Sequence, residues 1–254
     1  MKVTGKELND KPGVNFEKYL VVIPAYNEEE TVGVVVEEVI REGLQVLVVD
    51  DGSRDSTTQV ALAAGASVVT LPFNMGVGGG LRTGFRWAVR NGFQGVVQCD
   101  ADGQHPASEI RRMIEVAEKS QVDLLIANRF GTSGGYRSNW FRRIPMRFMS
   151  VAASRSTGIP IDDASSGFRV IRAELLWQFS RNFPTHYLGD TFEVLISTGK
   201  AGFKVGQTNV TMSERKGGQA SSGTLASIGF LLRVVFIFGL GSMTKFTPVK
   251  EFQR

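Results

Sequence analysis

The segment Gln98-Cys99-Asp100-Ala101-Asp102-Gly103-Gln104-His105-Pro106 places two carboxylates one residue apart, directly after a short apolar run. Where such a run is a strand, the bend at its end can turn both carboxylates the same way. With the Gln104 carboxamide they make a set of hard oxygen donors, suited to magnesium or manganese bridging a diphosphate. The competing reading is an acidic turn that caps a helix starting at 107. His105 reads as a packed or capping histidine, because the set around it is otherwise all oxygen.

Two earlier segments have the same build. Ile23-Pro24-Ala25-Tyr26-Asn27-Glu28 ends one apolar run, with an aromatic face at Tyr26 and an acid at Glu28 where a helix begins. Asp50-Asp51-Gly52-Ser53-Arg54-Asp55-Ser56 ends the next, an acid pair meeting a glycine turn, with Asp55 or Ser56 able to cap the helix that follows. Each alone is also an ordinary turn with a cap. The run Asn74-Met75-Gly76-Val77-Gly78-Gly79-Gly80-Leu81 is not a dinucleotide fingerprint, because Leu81 stands at the last glycine position and a third strand, not a first, precedes it. Its N–H groups can still face phosphate, with Arg82 and Arg86 one helical turn apart as support or as solvated helix arginines.

These groups need a frame of alternating strands and helices. Strands are expected at 19–23, 45–50, 66–70, 95–99 and 123–127, and helices at 29–41, 56–64, 78–90 and 107–120. That rhythm predicts an α/β domain with a mostly parallel sheet, whose ligands bind beyond the carboxyl ends of the strands. After 128 the rhythm changes to a Gly/Ser/Thr loop at 131–135, a helix through Pro145 to about 156, a strand at 168–172, helices at 173–179 and 191–201, and a strand at 203–212. We divide the chain into a polar tail (1–18), one domain (19–222) and an apolar, basic C-terminal segment (223–254). The 254 residues are 42% hydrophobic and 21% charged, which excludes a disordered or fibrous chain. A single cysteine, Cys99, fits a reducing compartment.

The net charge of +4 is mild but unevenly placed. Residues 124–161 hold six arginines (Arg129, Arg137, Arg142, Arg143, Arg147 and Arg155) and no acid. On one helix, Trp140, Ile144, Phe148 and Val151 form an apolar stripe beside Arg143, Arg147 and Arg155. Such a helix suits an anionic lipid at a membrane surface, or a core helix with a solvated face. No secretory signal is visible in 1–18. The apolar stretch 225–240 carries Arg233 and falls short of the roughly 20 residues a span needs, so it covers the core, lies in an interface or docks on a separate membrane subunit.

Taken together, Val22-Ile23-Pro24-Ala25-Tyr26-Asn27-Glu28, Val49-Asp50-Asp51-Gly52-Ser53, Asn74-x-Gly76-x-Gly78 and Asp100-Ala101-Asp102-Gly103-Gln104-His105-Pro106 resemble family 2 glycosyltransferases. The likeness is to the branch similar to dolichyl- or polyprenyl-phosphate mannosyltransferases and covers roughly 19–222. It implies a GT-A fold with a basic acceptor-side half on the same domain, a nucleotide-diphosphate sugar and a divalent cation (Mg2+ or Mn2+). In that family the residues matching Pro24, Ala25, Tyr26, Glu28 and Asp51 hold the nucleoside, with Gly76 in the matching glycine motif. Those matching Asp100, Asp102 and Gln104 hold metal and diphosphate. Asn128-Arg129-Phe130 resembles the family's Ser-Arg-Phe/Tyr, and Ser166-Gly167-Phe168-Arg169 its acceptor-side turn. Residues 213–221 resemble the loop near the phosphates, where Arg215 and Gly218 fit and Gln219-Ala220 replace Ser-Lys.

The resemblance implies an inverting, metal-dependent hexosyltransferase that uses a donor of the GDP-mannose or UDP-glucose type and a polyprenyl phosphate acceptor. Arg129 is assigned to both donor and acceptor phosphates, and Arg143, Arg147 and Arg169 to the acceptor phosphate. Asp102, Asp190 and Arg215 are the catalytic candidates. Asp190 lies where other family 2 enzymes carry a base and would serve a sugar hydroxyl acceptor, the first alternative. The second is a non-catalytic nucleotide-sugar-binding partner of a membrane protein. The expected location is the cytoplasmic face of a membrane, peripherally attached. No nucleic-acid partner is expected.

Overall fold

The protein is described by a computed structural model over residues 14–129, 140–185 and 189–212, with the backbone alone described at 140–148 and 189–190. Its elements in chain order are β1 (Tyr19–Ala25), α1 (Val32–Arg41), β2 (Gln45–Asp50), α2 (Thr57–Ala63), β3 (Ser67–Thr70), α3 (Val77–Arg90), β4 (Gly95–Gln98), α4 (Ser108–Ser120), β5 (Leu124–Asn128), α5 (Trp140–Thr157), β6 (Arg169–Arg172), α6 (Ala173–Asn182), α7 (Val194–Lys200) and β7 (Val205–Asn209). A π-helical turn, Gly189–Glu193, precedes α7.

The strands form one seven-stranded sheet in the order β3-β2-β1-β4-β6-β5-β7. Pairing is parallel except at β6, which runs antiparallel to both β4 and β5. β1 is buried at every position, as expected of a central strand covered on both faces. Its side chains alternate: Leu20 and Val22 join the layer with Leu81, Phe85 and the Phe179 and Phe183 rings, while Tyr19, Val21 and Ile23 join Val32, Val36, Ile110 and Ile114. The two-residue strand period thus feeds two separate cores. Together they form a GT-A-like α/β layer fold.

Differences from the sequence reading have local causes. α1 begins at Val32 rather than 29: Thr31 before it has φ −121°, outside the helical range, and the Glu28 and Glu29 N–H groups bond to Thr57 and Asp55 of the neighbouring loop. Val14 and Phe16, read as tail, pack against the second core, with the Arg111 guanidinium 3.9 Å over the Phe16 ring. On α5 the buried side chains are Met149, Ala152 and Ala153, whereas Val151 of the expected apolar stripe is 42% exposed. The side chains of Trp140, Ile144 and Phe148 lie outside the described residues.

The glycine run at the start of α3 serves close packing. A Cβ on Gly84 would stand 2.4 Å from Val22 Cγ1, and one on Gly78 2.3 Å from the Pro184 carbonyl oxygen. Arg82 and Arg86 also bond across to α6: Arg82 donates to the Arg181 carbonyl and the exposed Arg86, through Nε, to the Ser180 carbonyl at 3.0 Å. Both tie α3 to the negative C-terminal end of α6. Among the described residues no helix is long and apolar enough to cross a membrane; 225–240 lies outside them.

Candidate active site

The loops after β1 and β2 are laced together at the carboxyl edge of the sheet. Asn27 sits at φ 53°, a conformation its short polar side chain tolerates. Its N–H donates to Ser53 Oγ at 2.9 Å, and its Oδ1 accepts from the Arg54 N–H at 2.9 Å. The Glu28 N–H donates to Thr57 Oγ1 at 2.9 Å, and Glu29 Oε2 accepts from the Ser56 N–H at 2.8 Å. Asp55, not Ser56, supplies the capping oxygen for α2, accepting from the Thr57 N–H at 3.0 Å. This bracing leaves Tyr26 projecting, 41% exposed.

Asp50 and Asp51 are both buried and differ in what they hold. Asp50 Oδ1 accepts from the Ser53 N–H at 2.9 Å and closes its own turn. Asp51 Oδ1 accepts from the Met75 N–H at 2.7 Å, joining the β2 loop to the segment before α3. Burial raises the Asp51 carboxyl above its ordinary value, against the lowering effect of the Met75 and Gly76 N–H groups. Gly52, which follows the pair, is obligatory: φ is +74°, and a Cβ would lie 2.8 Å from the Phe73 carbonyl carbon. Tyr26, Asp51 and Gly76 therefore share one corner, adjoining Pro24 and Ala25 at the end of β1.

Past β4, Asp102 Oδ1 accepts from the Gln104 N–H at 3.0 Å and bends the chain. The Asp100 side chain is 42% exposed, while Asp102 is largely buried. His105 is buried, its ring stacked on Phe168 at 4.7 Å and 9°, and its Nδ1 accepts from the Asp100 N–H at 2.9 Å. It is the packed histidine that the sequence indicates. Burial lowers its basicity, partly offset by Asp100 and Asp102. The Cys99 thiol is buried and pushed up, first by burial and then by the Asp100 charge, so it is unreactive.

The donors present suit a hard divalent ion held jointly with a ligand. Among the described residues no group of three His, Cys, Asp or Glu side chains surrounds a metal by itself. Two carboxylates and a carboxamide would leave the remaining coordination to phosphate oxygens and water, as magnesium sites do.

The reversal at β6 completes the site. Because β6 is antiparallel, its beginning, not its end, lies at the carboxyl edge of β4, with Arg169 opposite Gln98. The Ser166-Gly167 turn consequently crosses the front of β4. A Cβ on Gly167 would stand 3.2 and 3.4 Å from the Asp100 carboxylate oxygens. No local sequence signal marks this neighbour of Asp100; only the strand direction creates it.

One expected phosphate contact is corrected, and a second has a protein partner. Arg169 is 1% exposed and its Nε donates to the Ser166 carbonyl at 2.7 Å, so it braces the turn from inside. Arg129 makes a bidentate pair with the fully buried Asp163 carboxylate, at 2.7 and 3.0 Å, and donates to Ser165 Oγ at 2.8 Å. Its guanidinium, a third exposed, is thus held by a buried counter-charge. Asp162 and Asp163 are the first acids after the acid-free stretch, a signal that could have marked Asp163 as a partner. Glu28 is bonded by Thr31 Oγ1 at 2.9 Å. Asp190 lies in the π-helical turn with its side chain outside the described residues, as are the side chains of Arg143 and Arg147 and all of Arg215.

Comparison with known proteins identifies the family and the fold. The family Glycosyl transferase family 2 matches residues 20–180. A polyprenol monophosphomannose synthase of Mycolicibacterium smegmatis is 33% identical over 213 residues, covering 79% of each chain. An undecaprenyl-phosphate mannosyltransferase of Micrococcus luteus is 28% identical, covering 80% of this chain and 86% of its own. In fold, the chain is similar to glucosyl-3-phosphoglycerate synthase from Mycobacterium tuberculosis, solved with Mn2+, uridine diphosphate and phosphoglyceric acid. The TM-score is 0.62 at 24% identity, over 88% of this chain and 78% of that one.

Proposed function

Since the chain belongs to glycosyl transferase family 2, we propose that this glycosyltransferase moves a hexose from a nucleotide-diphosphate sugar to a polyprenyl phosphate. The observation that supports this most is the position of Asp100. It is open to solvent, at the edge shared with Tyr26 and Asp51, and faces the Ser166-Gly167 turn. Pro24, Ala25, Tyr26, Glu28 and Asp51 hold the nucleoside, and the segment at Gly76 borders it. Asp100, Asp102 and Gln104 hold Mg2+ or Mn2+, which when bound offsets the charge that grows on the departing diphosphate. Two relatives named for transfer to polyprenol or undecaprenyl phosphate support the lipid phosphate as acceptor.

A phosphate oxygen is already anionic, so it attacks the anomeric carbon directly as the bond to the diphosphate breaks, and the configuration inverts. Asp190 then orients the sugar, and Arg143, Arg147 and Arg215 attract the acceptor phosphate. The exposed Val151, one turn before Arg155 on α5, suits peripheral attachment to a membrane surface. A hydroxyl acceptor with Asp190 as base is the second reading, favoured by the π-helical turn around Asp190, a distortion frequent at functional sites. Transfer from a panel of nucleotide sugars to polyprenyl phosphate, with wild type and Asp190→Asn, tests the proposal. We expect lipid-linked product and a modest effect of Asp190→Asn. Product only with a hydroxyl acceptor, and loss of several orders of magnitude in Asp190→Asn, would overturn it.

A further inference from the structure

His105 takes no part in the chemistry above, yet it touches Asp100 from two directions. Its Nδ1 accepts the Asp100 N–H at 2.9 Å. A ring nitrogen that accepts carries no proton, so the proton resides on Nε2. That Nε2 lies 3.6 Å from Asp100 Oδ2. The ring cannot turn away, because it is buried and stacked on Phe168, the residue that follows Gly167 at the head of β6. One imidazole thus fixes where the chain leaves β4, close beside the carboxylate that emerges there. The tautomer follows from the hydrogen bond itself.

We propose that His105 is a positioning residue for the divalent cation: through its bond to the Asp100 N–H it fixes the main chain from which the Asp100 carboxylate emerges to receive the ion, without ligating it. Partners that orient a metal ligand in this way typically account for about 10- to 100-fold in affinity. The inference rests on Asp100 and Asp102 as cation ligands, and its test separates the two claims.

The probe is manganese alone, titrated into the full chain and followed by the electron paramagnetic resonance signal of free aqueous Mn2+. His105→Phe keeps a ring to stack on Phe168 and removes both nitrogens. His105→Asn places a carboxamide oxygen near the Nδ1 position, and His105→Gln extends to the Nε2 position. We expect Asp102→Asn to lose manganese binding, His105→Phe to weaken it about 10- to 100-fold, and His105→Asn to recover most of the loss. Melting temperature without metal reports folding. If His105→Phe does not fold, the decision falls to the other pair: Asn binding manganese more tightly than Gln supports the inference, and equal affinities overturn it. A His105→Phe protein binding within twofold of wild type, while Asp102→Asn does not bind, would overturn the positioning role alone. Wild-type affinity in Asp102→Asn would remove the ligand assignment and the inference with it.

Discussion

Replacing Gly167 with alanine separates the stability of this fold from its chemistry. Gly167 lies outside the left-handed region, so alanine accepts its backbone conformation, and the stiffer unfolded chain favours folding by about 0.4–1 kcal/mol. Its new methyl would stand 3.2 Å from Asp100 Oδ2, against a comfortable contact near 3.5 Å, so the carboxylate must retreat by roughly 0.3 Å. Magnesium tolerates little change from its 2.0–2.1 Å ligand distances. Misplacement by 1 Å costs about 100-fold in rate, and 0.3 Å scales to a loss of about fourfold. Gly84→Ala is the control: its methyl would press on Val22 Cγ1 at 2.4 Å in the core, rather than on the Asp100 carboxylate, and should cost about 1–3 kcal/mol by overpacking. Urea unfolding and magnesium-supported transfer should therefore rank the two variants in opposite orders. Full activity in Gly167→Ala, or destabilisation equal to that of Gly84→Ala, would refute the reasoning.

Other perturbations follow from single contacts. Asp163→Ala leaves Arg129 partly buried without its bidentate partner and should destabilise the fold by about 1.5–3 kcal/mol, read by urea unfolding; a loss under 1 kcal/mol would show the pair to be dispensable. Burial raises the Asp51 carboxyl because it disfavours the charged form, and asparagine keeps an oxygen for the Met75 N–H without that charge. Asp51→Asn should melt at or above the wild-type temperature while binding the donor nucleotide at least tenfold more weakly, by calorimetry. Burial, and then the bond to Glu118, hold the Tyr19 phenol well above its ordinary value near 10. Its contribution to stability is complete below about pH 10 and is lost as pH rises from there toward the folded value, because the unfolded chain releases the proton first. Tyr19→Phe should flatten that alkaline fall in stability, and an unchanged slope between pH 9 and 11 would contradict it.

What the sequence reveals here is local. β2 runs over the very residues, 45–50, that its apolar run indicates, and the acid turns after β2 and β4 are legible because turn chemistry acts within a few residues. Asp55 and His105 also take roles their types and neighbours indicate. The direction of β6 is not written in residues 168–172, since an apolar run pairs either way, and with it goes the meeting of Gly167 and Asp100. Arg129 and Asp163 stand 34 residues apart, and Arg86 and Ser180 stand 94 apart. Arginine-rich patterning locates positive charge but not the partner that neutralises it. Free cations and paired ones look alike until tertiary structure brings the acid or carbonyl to them.

The central claim is that Asp100 and Asp102 bind the donor diphosphate through a divalent cation. Calorimetric titration of UDP and GDP, with and without manganese, into wild type and Asp102→Ala tests it most directly. The account predicts that manganese tightens binding of the preferred nucleotide to wild type by at least tenfold and leaves Asp102→Ala unchanged. An equal gain from manganese in both proteins would contradict it.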